Sequence, residues 1–137
     1  MKDRTFDSMK NPTLDTWHRM IEERDATALD AVLADDAVFH SPVVHTPQQG
    51  KALTKLYLSA AIMVLGSANF TYVREVIGES DAVLEFTCEI NGIQMNGVDM
   101  IHWNADGLID DFKVMIRPLK AVNLLHQLMG QMLKSMS

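Results

Sequence analysis

FTYVREVIGESDAVLEFTCEINGIQMNGVDMIHWNADGLIDDFKVMI, residues 70–116, is the stretch whose reading decides the fold. It divides into four runs of period two, Phe70 to Ile77, Ala82 to Ile90, Ile93 to Trp103 and Leu108 to Ile116. The links are Gly78-Glu79-Ser80-Asp81, Asn91-Gly92 and Asn104-Ala105-Asp106-Gly107. Asn-Gly is the strongest short hairpin signal, because both central residues of a type I′ turn need a positive φ. Connections this short can only join antiparallel neighbours, so the stretch predicts a four-stranded meander. In the second run Leu84, Phe86, Cys88 and Ile90 alternate with Val83, Glu85, Thr87 and Glu89, the pattern of a sheet with one buried face. In the fourth, strict alternation groups Leu108, Asp110, Phe112, Val114 and Ile116 against Ile109, Asp111, Lys113, Met115 and Arg117.

Working outward, the period changes to that of a helix. Thr13 reads as an N-cap, followed by Leu14, Trp17, Met20 and Ile21 at helical spacing up to Arg24. A shorter helix over Thr27 to Ala34 and a strand over Ala37 to Val44 come next. Between Gly50 and Gly66, Leu53, Leu56, Tyr57, Ala60, Ala61 and Val64 define a third helix with one apolar face. After Pro118 a last helix is expected over 119–135, apolar over more than half its circumference. It must cap a cavity in its own subunit or pack on a second copy. The order αα β α ββββ defines an α+β domain whose helices cover one sheet face. Residues 1–12 read as an N-terminal arm and 13–137 as a single domain.

Composition bounds the function. The 137 residues carry 12 Lys+Arg against 18 Asp+Glu, a net charge of −6, and 47% are hydrophobic. Scattered, outnumbered basic residues argue against nucleic-acid binding. The longest apolar stretch, Leu56 to Leu65, is half of what a membrane-spanning helix needs. One cysteine and no apolar signal core point to the cytoplasm. His18, His40, His45, His102 and His126 show no metal-ligand spacing, and no phosphate-binding glycine loop occurs, so no metal and no cofactor are expected.

The segment from Trp17 to Val43, WHRMIEERDATALDAVLADDAVFHSPV, resembles the opening of SnoaL-like domains of the NTF2-like superfamily. Gly50-Lys-Ala-Leu, Gly97-Val-Asp-Met-Ile-His-Trp and Asp106-Gly-Leu-Ile-Asp-Asp-Phe continue the likeness, over about Thr13 to Pro118. The resemblance implies a cystatin-like cone, a curved antiparallel sheet wrapped around a long helix, with a pocket between them and an extra C-terminal helix here. The superfamily holds ketosteroid isomerase, polyketide cyclases, a dehydratase, epoxide hydrolases and members that only bind or dimerise, so fold alone does not choose among them. It also implies a homodimer.

Asp99 is the sharpest candidate for chemistry, a carboxyl in mid-strand among Val98, Met100 and Ile101. By resemblance it matches the isomerase's protonated aspartate, which donates to the developing enolate. The same alignment puts Trp17 where the isomerase has its oxyanion-hole tyrosine and Ser41 where it has its aspartate base. His45 and His40 are the imidazoles nearest the expected cone mouth and the candidates for a base, although alternation turns His40 away if Phe39 and Ser41 face inward. Trp17, Phe39, Ser41, Tyr57, Phe112 and Val114 are expected to line a ligand cavity. The sequence thus supports a cofactor-independent isomerase, cyclase or lyase acting through Asp99 on a small apolar, carbonyl-bearing molecule. The alternative is a non-catalytic ligand-binding or dimerisation module.

Overall fold

The computed structural model describes residues 11–66 and 69–136. The arm expected over 1–12 lies, for residues 1–10, outside the described residues. The first helix, α1, spans Pro12–Glu23, and Asn11 caps it by accepting from the Leu14 amide at 3.1 Å. Pro12 sits in the first turn, where a missing N–H is harmless. Thr13 is therefore not the cap. Its hydroxyl donates instead to the Gly107 carbonyl at 2.6 Å, tying α1 to the last hairpin turn.

The second helix, α2, is one turn, Leu29–Val32, and strand β1 (Leu33–His40) begins at once. Asp35 and Asp36, read as a helix end, stand exposed inside that strand, where its register slips between Leu33 and Val38. Strand β1 stops before Pro42, so Val43 and Val44 fall in a loop rather than in the strand. Strand β2 is the pair Gln48–Gln49, and helix α3 runs over Lys51–Leu65. The buried face of α3 is Thr54, Leu58, Ala60, Ile62 and Leu65, while Leu53 is exposed. The sequence phasing missed this, because a helix apolar nearly all round gives no clear direction. Its rotation follows from Thr54, whose buried hydroxyl donates to the Ala37 carbonyl at 3.0 Å.

Strands β3 (Thr71–Ile77), β4 (Asp81–Ile90), β5 (Ile93–Trp103) and β6 (Ile109–Arg117) form the expected antiparallel meander. At the β4–β5 turn Asn91 and Gly92 have φ of 52° and 78°, as a type I′ hairpin requires. The sheet order is β2-β1-β6-β5-β4-β3, with β1 parallel to β6, and α3 carries the chain from β2 at one edge to β3 at the other. The sheet is mixed rather than wholly antiparallel.

Two bulges shape the inner face. In β3, Tyr72 pairs with Phe86 but Arg74 pairs with Glu85, so Val73 is extra and both Tyr72 and Glu75 turn inward. In β6, Trp103 pairs with Ile109 while His102 pairs with Asp111. The strict alternation read from the sequence is therefore broken, and Ile109 is buried on the same side as Phe112. Helix α4 (Leu119–Met136) then packs on α3 and on β5 and β6. It covers its own subunit's cavity, the first of the two roles its wide apolar face allowed. Among the described residues no helix is long and apolar enough to cross a membrane.

Candidate functional site

The curved sheet, α1, α3 and α4 enclose a cavity of about 220 Å³. Trp17, Phe39, Ser41, Tyr57, Phe112 and Val114 all line it, together with Asp99. Rings make up much of the wall. Phe39 stacks on Tyr57 at a centroid distance of 5.7 Å, Phe70 on Phe86 at 4.9 Å, and Trp17 tilts against Phe112 at 4.8 Å.

Asp99 lies on the inner face of β5 and is 5% exposed. Its Oδ2 accepts from the Tyr72 hydroxyl at 2.5 Å, and the Tyr72 oxygen accepts from the Trp17 indole N–H at 2.9 Å. An indole can only donate. Trp17 therefore fixes the direction of the relay: indole N–H to phenol oxygen, phenol O–H to carboxyl Oδ2. Oδ1 of Asp99 has no partner among the described residues, and among those residues no buried side-chain polar atom is left unsatisfied. Oδ1 is thus the atom open to the cavity.

Burial pushes the Asp99 carboxyl up to about 7, and the Tyr72 hydrogen bond, which favours the ionised form, offsets only part of that rise. Burial, and then the Asp99 charge, push the Tyr72 hydroxyl well above the usual phenol range. Tyr72 consequently stays protonated and keeps donating. Glu75, inward beside it, is held by His18 Nε2 at 2.7 Å, and the His18 ring meets Tyr72 edge-on at 5.8 Å.

Further polar groups border the cavity. Ser41 Oγ accepts from the Val43 and Val44 amides at 3.0 and 3.3 Å, which leaves its own hydrogen to donate. The Tyr57 hydroxyl has no hydrogen-bond partner among the described residues. His126, on α4, completes the set. The two histidines singled out from the sequence lie elsewhere. His40 points to the other sheet face, as alternation required, and its Nε2 meets Asp111 Oδ1 at 2.8 Å. His45 is exposed in the loop after β1 and does not border the cavity. Among the described residues, no cluster of three or more His, Cys, Asp or Glu side chains is placed to hold a metal.

Sequence reading missed Tyr72 and His126. For Tyr72 a signal was present: in Phe70-Thr-Tyr-Val-Arg-Glu-Val-Ile neither alternating set is cleanly apolar, which is how a bulge reads. His126 sits at the border between the polar stripe of α4 and the apolar set of Met129 and Leu133, where the helical period alone assigns no side.

The SnoaL-like domain family matches residues 14–112, and the chain belongs to it. Among solved structures, it is similar to a steroid delta-isomerase from Pseudomonas aeruginosa, with 36% identity, 90% of each chain covered and a TM-score of 0.85. It is also similar to an uncharacterised bacterial protein with a cystatin-like fold from Silicibacter pomeroyi, with 30% identity over 88% of this chain and 84% of that one and a TM-score of 0.81. SalBIII, an epoxide hydrolase/cyclase-like enzyme of salinomycin pyran ring formation, shares the fold at 17% identity, 85% and 95% coverage and a TM-score of 0.63. Comparison with curated protein sequences gave no match.

Proposed function

We propose that this SnoaL-like protein catalyses a cofactor-independent proton transfer next to the carbonyl of a small apolar molecule, with Asp99 carrying the proton. One observation carries the reading: a carboxyl poised near neutrality by burial, with one oxygen held by Tyr72 and the other open to an aromatic cavity. A group with a pKa of about 7 is present in both forms at neutral pH, which suits a residue that must take a proton and return it. The ionised Oδ1 takes the proton α to the carbonyl, and the neutral acid delivers it to the same or a conjugated carbon. Negative charge gathers meanwhile on the carbonyl oxygen, for which the Ser41 and Tyr57 hydroxyls supply hydrogen bonds. The Trp17–Tyr72 relay does not touch the ligand. It presents Oδ1 in a fixed orientation.

Cavity size narrows the substrate. An apolar cavity of about 150 Å³ accepts benzene. One of 220 Å³ therefore suits one ring with substituents or two fused rings. The steroid-isomerase likeness does not extend to a second carboxylate, since Ser41 supplies none. The test is α-proton exchange of β-tetralone, a bicyclic ketone, in D₂O followed by NMR. The wild type should accelerate exchange over buffer, and Asp99→Asn should lower that acceleration by roughly a hundredfold or more. No acceleration by the wild type, or equal rates in both proteins, would reject the reading.

A further inference from the structure

Helix α4 lies between the cavity and a polar groove on the protein surface. His126 and Gly130 border both spaces. They stand four residues apart and so share one face of the helix. Gly130 has no conformational reason to be glycine, since it lies inside a helix and its φ is not positive. It has no packing reason either: a Cβ built there meets nothing within 4 Å. Mid-helix glycine destabilises, so a notch here is a cost that the fold itself does not explain. The groove beyond is lined by Asn123, Gln127, Gln131 and Lys134, all hydrogen-bonding and none acidic. An apolar cavity and a polar groove with no acidic lining residue thus share His126 and Gly130 as their common border.

We infer that the ligand is amphipathic, one or two fused rings in the cavity bearing a carboxylate or similar anionic substituent that passes the Gly130 notch and is bound by His126. This inference rests on the proposed reading of the cavity as a ligand site and adds the chemical class of its occupant. A carboxylate accepts from an imidazole N–H in either tautomer. Among the described residues that line the groove none is Asp or Glu, so none of these side chains carries a negative charge that would repel the anion. A neutral ring compound would fill the cavity equally well but gain nothing from His126.

The experiment compares two probes by titration calorimetry. β-Naphthol is flat, bicyclic and enol-like, and 6-hydroxy-2-naphthoate is the same body with a carboxylate at the far end. The wild type should bind the naphthoate roughly tenfold more tightly than the naphthol, the scale of one charge-assisted hydrogen bond. His126→Ala should reduce the two affinities to near equality, and His126→Glu should make the naphthoate the weaker ligand. The ratio of the two affinities, rather than naphthol binding itself, reads the role of His126, and position 126 is an exposed helix site where both substitutions fold well. Naphthol bound without any preference for the naphthoate, or a preference that survives His126→Glu, would overturn this inference and leave the cavity reading standing. Failure of both probes to bind would overturn the two together.

Discussion

Tyr72 reaches Asp99 across an intervening strand: β4 lies between their strands, yet the phenol oxygen stands 2.5 Å from Oδ2. The residue beneath this span is Phe86, which pairs with Tyr72 on one side and with Gly97 on the other. A Cβ at Gly97 would come within 2.6 Å of the Phe86 ring and of the Met115 carbonyl. Gly97 thus lets Phe86 lie close to the sheet, where its ring stacks on Phe70. The long-range contact depends on a bulge, a glycine and a donor-only indole acting together.

Removing the Tyr72 hydroxyl should act on Asp99 first. The hydrogen bond it donates favours the carboxylate, so Tyr72→Phe should move the Asp99 pKa above its present value of about 7. In the proposed reaction Asp99 starts ionised, so α-proton exchange rises with pH through that value and then levels. The midpoint of this profile should move upward in the variant. The Trp17 N–H also loses its acceptor, for a stability loss of about 1–3 kcal/mol in urea denaturation. A profile that kept its midpoint would show that Tyr72 does not act on Asp99.

Asp99 should also leave a signature on stability. Its folded pKa of about 7 lies above the value of about 3.9 in an unfolded chain. Between those values the folded protein holds a proton that the unfolded chain has released, so stability falls as pH rises through the window and is level outside it. The full effect is on the order of a few kcal/mol. Asp99→Asn removes it. The variant should match the wild type near the acid end of the window and exceed it above neutral pH, measured by urea denaturation at a series of pH values. Parallel curves for the two proteins would refute the buried-carboxyl account.

One substitution at two glycines should have opposite signs. At Gly97, alanine must displace a backbone carbonyl and a buried ring, overpacking that typically destabilises by about 1–3 kcal/mol. At Gly130 the added methyl meets nothing, and helix propensity should stabilise by about 0.5–1 kcal/mol. Denaturation midpoints of Gly97→Ala and Gly130→Ala, measured side by side, check both. A stable Gly97→Ala protein would mean that Phe86 has room that the close approach denies it.

Local pattern carried most of this architecture. The Asn91-Gly92 turn and the burial of Leu84, Phe86 and Cys88 follow from period and turn chemistry. What escaped was set by events that interrupt a period. The Val73 bulge turned Tyr72 inward, and the bulge in β6 buried Ile109. A single hydroxyl, that of Thr54, fixed the rotation of a helix whose composition gives no direction. His126 escaped for a different reason: its role depends on what lies on both sides of α4, and that is tertiary information.

Ser41 offers a test by addition rather than removal. Its Oγ accepts from the Val43 and Val44 amides, a turn that an aspartate side chain makes equally well, so Ser41→Asp should fold. The variant places a second carboxyl on the wall of the same cavity as Asp99. Two carboxyls sharing a site resist joint ionisation, so one pKa rises and the other stays low. Asp99, already raised by burial and enclosed in β5, is the one that should rise, while the introduced group at the loop stays ionised. The pair would then divide the work, the new carboxylate as base and neutral Asp99 as hydrogen-bond donor to the carbonyl. The pH profile for β-tetralone exchange should change from a single rise to a bell, with a higher maximum than the wild type. An unchanged single rise would show that position 41 and Asp99 do not face the same substrate.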